Sequence, residues 1–109
     1  MATPIITESH GTLTTTTSED TIFEVTTGTK YYETFINLKN MTASETFVIR
    51  TYIWDEQLGE YMSIDKQTKS NVQDPVAMMI DMRCGTRYKV TIQKTAGTNK
   101  AVTWIRFEV

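Results

Sequence analysis

Histidine is the residue most chemistry at neutral pH relies on, and this chain has one, His10, within a threonine-rich opening stretch. A Ser-His-Asp triad, a histidine metal site or an imidazole general base would have to be built from that arm residue, so no catalytic residue is expected. The carboxylates Asp55, Glu56 and Glu60 flank Gln57-Leu58-Gly59, a spacing that suggests a calcium loop or an acid/base pair. Calcium loops need several oxygens converging at alternating Asp/Asn positions, and a glycosidase pair needs a walled cleft, so a solvated turn is the better reading. Cys84 is a single thiol beside Gly85. It reads as an incidental thiol in a predicted turn, with an intermolecular bridge as the alternative. The glycines at 11, 28, 59, 85 and 97 stand apart, each at an expected turn, and form no phosphate loop. Asn40-Met41-Thr42 fits a glycosylation acceptor but reads as a turn. No cofactor and no metal ligand set is expected.

Composition sets the class. One domain with one core suits 109 residues, and 39% hydrophobic with 22% charged residues indicates a folded, water-facing chain. Lys plus Arg number 11 against 13 Asp plus Glu with the signs mixed, so direct nucleic-acid binding is not expected. No apolar run approaches a membrane span, and Met1-Ala2-Thr3-Pro4-Ile5-Ile6 lacks the pattern of an export signal, so neither membrane insertion nor export by its own signal is expected. Threonine is frequent, including Thr14-Thr15-Thr16-Thr17, as suits the outer faces of strands.

The elements follow from period-two patterning. Residues 1–17 read as an extended N-terminal arm, with Pro4 forbidding one ladder bond and Ile5, Ile6 and Leu13 as apolar anchors. Residues 18–109 read as a β-sandwich domain with strands at about 21–27, 30–38, 46–55, 60–69, 76–83, 86–95 and 100–109. The fold class is therefore all-β, a single antiparallel sandwich of about seven to eight strands, jelly-roll-like or immunoglobulin-like. A short helical turn near 71–76 is a minor alternative.

Alternation also assigns faces. Val76, Met78, Ile80 and Met82 form one core row, and Tyr88, Val90 and Ile92 another. Phe47, Ile49, Thr51 and Ile53 point inward, which leaves Val48, Arg50, Tyr52 and Trp54 outward. The last strand is ambiguous: Ile105, Phe107 and Val109 share one face, Val102, Trp104, Arg106 and Glu108 the other. Tyr52 and Trp54 on one outward row, with Met79 pointing away from the core, are the interface candidates besides the arm anchors.

The segment Gln93-Lys94-Thr95-Ala96-Gly97-Thr98-Asn99-Lys100, followed by Trp104, resembles a turn and tryptophan strand in small β-sandwich virion proteins of tailed phages and related environmental viruses. Glu19-Asp20-Thr21-Ile22, Gly28-Thr29-Lys30-Tyr31 and Leu38-Lys39-Asn40-Met41-Thr42-Ala43 match more weakly, so the resemblance covers about 18–109. Where that group tends to place glycine and aspartate, this chain has Ser44-Glu45. The resemblance implies a non-enzymatic virion structural protein of capsid-decoration type. It would be made in the host cytoplasm and would contact other virion proteins or copies of itself as a homo-oligomer in a larger assembly. On this view residues 2–17 add to a neighbour's sheet, and deleting them leaves the sandwich folded. A carbohydrate-binding module, with Tyr52, Trp54 and Tyr61 stacking on sugars, is the alternative from another class, and a tail or fibre component a third.

Overall fold

The computed structural model describes residues 7–26, 31–83 and 87–108, with the side chains of Met82 and Arg83 outside that description. Eight strands lie among these residues: β1 Thr7–Thr14, β2 Asp20–Val25, β3 Tyr31–Asn37, β4 Thr46–Asp55, β5 Glu60–Ser70, β6 Ala77–Arg83, β7 Tyr88–Ala96 and β8 Ala101–Glu108. They form two four-stranded antiparallel sheets, ordered β1-β8-β3-β6 and β2-β7-β4-β5, as a β-sandwich. The pairing is nested: β1 with β8, β2 with β7, β3 with β6 and β4 with β5.

The core forms where inward rows of both sheets meet. Ile36, Phe47, Ile49, Tyr88, Val90 and Ile92 are fully buried, as period-two patterning requires of half-buried strands. Burying each such side chain is worth roughly 1.5–3 kcal/mol before entropy. One end of the core is aromatic: Phe23 packs edge-on to Tyr88 at 5.7 Å and lies 5.2 Å from Trp104, while Tyr32 lies 5.3 Å from Tyr88. The Arg106 guanidinium sits 5.3 Å from the Phe23 ring and 5.7 Å from those of Tyr32 and Trp104. This settles the last strand. Val102, Trp104 and Arg106 face inward, and Ile105 and Phe107 face out.

Several expectations change. The stretch 7–17, read as part of an arm, belongs to the sandwich. β1 takes an eight-residue ladder on β8, and Leu13 packs against this chain's own core instead of anchoring a neighbour. Thr15, fully buried, donates its amide to the Lys100 carbonyl at 2.9 Å, and its hydroxyl accepts the Lys100 amide at 3.0 Å. The Thr16 carbonyl accepts the Lys94 amide at 2.9 Å, so the threonine run carries the chain from one sheet to the other. Val76 is 45% exposed because it precedes β6, where its carbonyl accepts the Leu38 amide, whereas Met78 and Ile80 keep their core positions. Residues 71–76 form bends with no helical turn. Gly11 marks close approach within β1 and no turn: a Cβ there would meet the Trp104 indole at 2.9 Å. Ile5, Ile6, Gly28, Cys84, Gly85 and Val109 lie outside the described residues.

Candidate interaction surface

The three expected interface residues beyond the arm fall on opposite sides of the molecule. Tyr52 and Trp54 project from β4 onto the outer face of the β2 sheet, and Met79 projects from β6 onto the outer face of the β1 sheet. Sequence alternation finds each row but cannot say which sheet a strand joins.

On the β2 sheet, a bulge between Thr51 and Tyr52 skips Ile64, so β5 changes phase and presents Tyr61 directly opposite Trp54. Tyr61 meets Trp54 at 5.0 Å and 82°, and Tyr52 at 6.5 Å and 70°. Cations lie over these rings. The Arg87 guanidinium stands 4.1 Å from the Trp54 centroid, and Lys89 Nζ lies 4.7 Å from that of Tyr61 and 5.2 Å from that of Tyr52.

Two carboxylates fix the phenols. Glu19 accepts from the Tyr52 hydroxyl at 2.7 Å, the Thr91 hydroxyl at 2.9 Å and Arg50 Nη1 at 3.3 Å. Desolvation pushes the Glu19 carboxyl up, but those hydrogen bonds and the charges of Arg50 and Lys89 outweigh it and hold the group below its ordinary value. Desolvation, then the bond to Glu19, raises the Tyr52 phenol; desolvation and the hydrogen bond to Glu24 do the same for Tyr61. These phenols stay protonated donors. The rings stand edge to face under cations, so they offer little of the flat, open platform that sugar stacking uses.

On the other side, Met79 is 54% and Ile105 41% exposed. The register places Phe35 between them, and Phe35 meets Phe107 at 6.3 Å and 71°. Ile105, Phe35 and Met79 thus make an apolar row across an outer sheet face. Alternation in the sequence marks Met79 alone, because the outward placement of Ile105 and Phe107 follows only from how β8 faces the core.

Two of the other chemical candidates, Asp55 and Asn40, are absorbed into turns. Asp55 Oδ1 accepts the amides of Gln57 at 2.9 Å and Leu58 at 3.2 Å, capping the β4–β5 hairpin. Asn40 donates its side-chain amide to the Ala101 carbonyl at 2.9 Å. His10 lies on the outer face of β1, with Nδ1 3.2 Å from Glu8. No group of three or more His, Cys, Asp or Glu placed to hold a metal occurs among the described residues.

No protein-family model and no curated protein matches the chain. A solved structure from the disulfide-linked pili of Bacillus endospore appendages is similar, with a TM-score of 0.56 at 13% identity, covering 96% of this chain and 88% of that one. At that identity the likeness is one of fold, and it places this chain among β-sandwiches of the same build.

Proposed function

We propose that this chain is a non-enzymatic structural subunit that works through protein–protein contacts, a virion surface component of capsid-decoration type built as a jelly roll. The observation that carries the reading is the outer-face apolar row Ile105–Phe35–Met79, exposed at both ends and half-buried at Phe35, on a sandwich whose core is already closed elsewhere. Contiguous exposed apolar surface on a small domain marks a contact site. The nested pairing β1:β8, β2:β7, β3:β6, β4:β5 supports the jelly-roll wrap over the immunoglobulin division of strands. The fold likeness to a pilus protein supports an assembling role. The virion setting, with synthesis in the host cytoplasm and other virion proteins or copies of itself as partners, rests on the resemblance of residues 93–100 and Trp104. A tail or fibre position would use the same contacts.

The test is the size of the full-length protein by sedimentation over a wide concentration range. Concentration-dependent oligomers are expected. A chain that stays monomeric and binds glycans, with binding lost in Trp54→Ala, would establish the carbohydrate module instead.

A further inference from the structure

We propose that copies of this chain stack front to back, the outer face of the β1 sheet of one copy on the outer face of the β2 sheet of the next. This rests on the assembling-subunit reading and adds the partner and the geometry.

The ladders set side chains in rows on both faces. Across the β1 sheet the register aligns His10, Ile105, Phe35 and Met79, and one step along it aligns Glu8, Phe107, Glu33 and Asp81. Among the described side chains these two rows are apolar and acidic apart from His10. Glu33 stands directly opposite Asp81, a like-charge cross-strand pair that weakens an isolated sheet.

The β2 sheet shows the reverse. Arg50, Lys66, Arg87 and Lys89 share its outer face with the carboxylates of Glu19 and Glu24 and the aromatic row. Here too the ladder opposes like charges, Arg50 against Lys66. Glu19 already holds Arg50 and Glu24 holds Arg87, which leaves Lys66 and Lys89 as the excess cations of this face. The acidic excess of one face and the basic excess of the other would relieve each other, beside the apolar row and the half-buried aromatic rings. Complementary potential of this kind selects partner and orientation.

Shape agrees. The molecule measures 48 × 38 × 18 Å, so each broad face exceeds the roughly 800 Å² per partner that a standard interface buries. The two outer faces of a sandwich point in opposite directions. Contact between two different patches is heterologous, leaves one of each unused on every pair, and so builds a ring or an open stack.

The test uses charge exchange in the full chain, read by sedimentation, with circular dichroism confirming the fold. Glu33→Lys with Asp81→Lys, and separately Lys66→Glu with Lys89→Glu, are each expected to raise the assembly midpoint at least tenfold. All four changes in one chain should recover most of the loss, because the exchanged faces again complement each other. High salt should weaken wild-type assembly in the same direction. If wild type assembles but the β2-sheet variant assembles equally well, or the combined variant shows no recovery, the front-to-back contact is wrong while the subunit reading stands. A wild-type chain that is monomeric throughout overturns both.

Discussion

Glu45 is 1% exposed, yet its carboxylate is the most heavily hydrogen-bonded acid described in the molecule. Ser44 Oγ donates to it at 2.6 Å, and the Thr42 amide and hydroxyl each at 2.7 Å. From the β7–β8 turn, Thr98 adds its hydroxyl at 3.3 Å and its amide at 3.4 Å. Gly97 is held at φ +83, and a Cβ there would meet the Ser44 carbonyl at 2.6 Å, so the turn can approach only without a side chain. The bonds from Ser44 and Thr42 hold the carboxyl at about 2, against an ordinary 4.5. Because the folded value is the lower one, this group's stabilisation is complete above pH 4.5 and is lost as pH falls toward 2. Glu45→Gln should therefore lower the urea midpoint at pH 7 and narrow the gap to wild type by pH 2–3. A gap of constant size across that range would show that the carboxylate's charge is not what holds the turn. Ser44-Glu45 is visible in the sequence as a departure from the resembled pattern. Its function is not, because the partner lies 53 residues away.

β1 is a strand whose sequence understates its importance. Only Leu13 in it is a large aliphatic residue, and Gly11 and six polar positions give it the look of a tether. Its contribution is instead to cover: it satisfies the outer edge of β8, and Gly11 lies against the Trp104 indole that closes the aromatic end of the core. Strand positions from β2 to β8 were legible because alternation and turn residues are local signals. β1 was not, since its status depends on whether an edge strand finds a partner in its own chain. Removing residues 2–14 should expose the β8 edge and Trp104, giving a marked loss of thermal stability and aggregation rather than a free, folded sandwich. Leu13→Ala, at a half-buried site, should cost about 1–2 kcal/mol. A truncated chain that melts like wild type would return residues 7–14 to the role of a dispensable arm.

At the scale of the molecule, each ladder of the nested set joins segments farther apart than the last, from the β4–β5 hairpin out to β1 against β8. The candidate surface was legible only in fragments for the same reason: Tyr52, Trp54 and Met79 are readable one strand at a time, but their division between opposite faces is decided by pairing across the whole chain. That pairing also sets Thr7 beside Glu108 in antiparallel register. A short linker from 108 to 7 would turn β8 and β1 into a hairpin, and the chain could be reopened between Leu58 and Gly59, where the turn is exposed and nothing lies within 4 Å of a Gly59 Cβ. The permuted protein keeps every ladder but converts the longest-range pairing into a local one and the most local into the most distant. It should fold cooperatively to the same β spectrum, with the Tyr61–Trp54 exciton signal in circular dichroism retained, and lose modest stability through the opened Asp55 turn. Failure to fold would mean that the β4–β5 hairpin must form first for the nested ladders to assemble. A permutant that folds shows that the pairing itself, independent of chain order, specifies the sandwich and presents its two unlike faces.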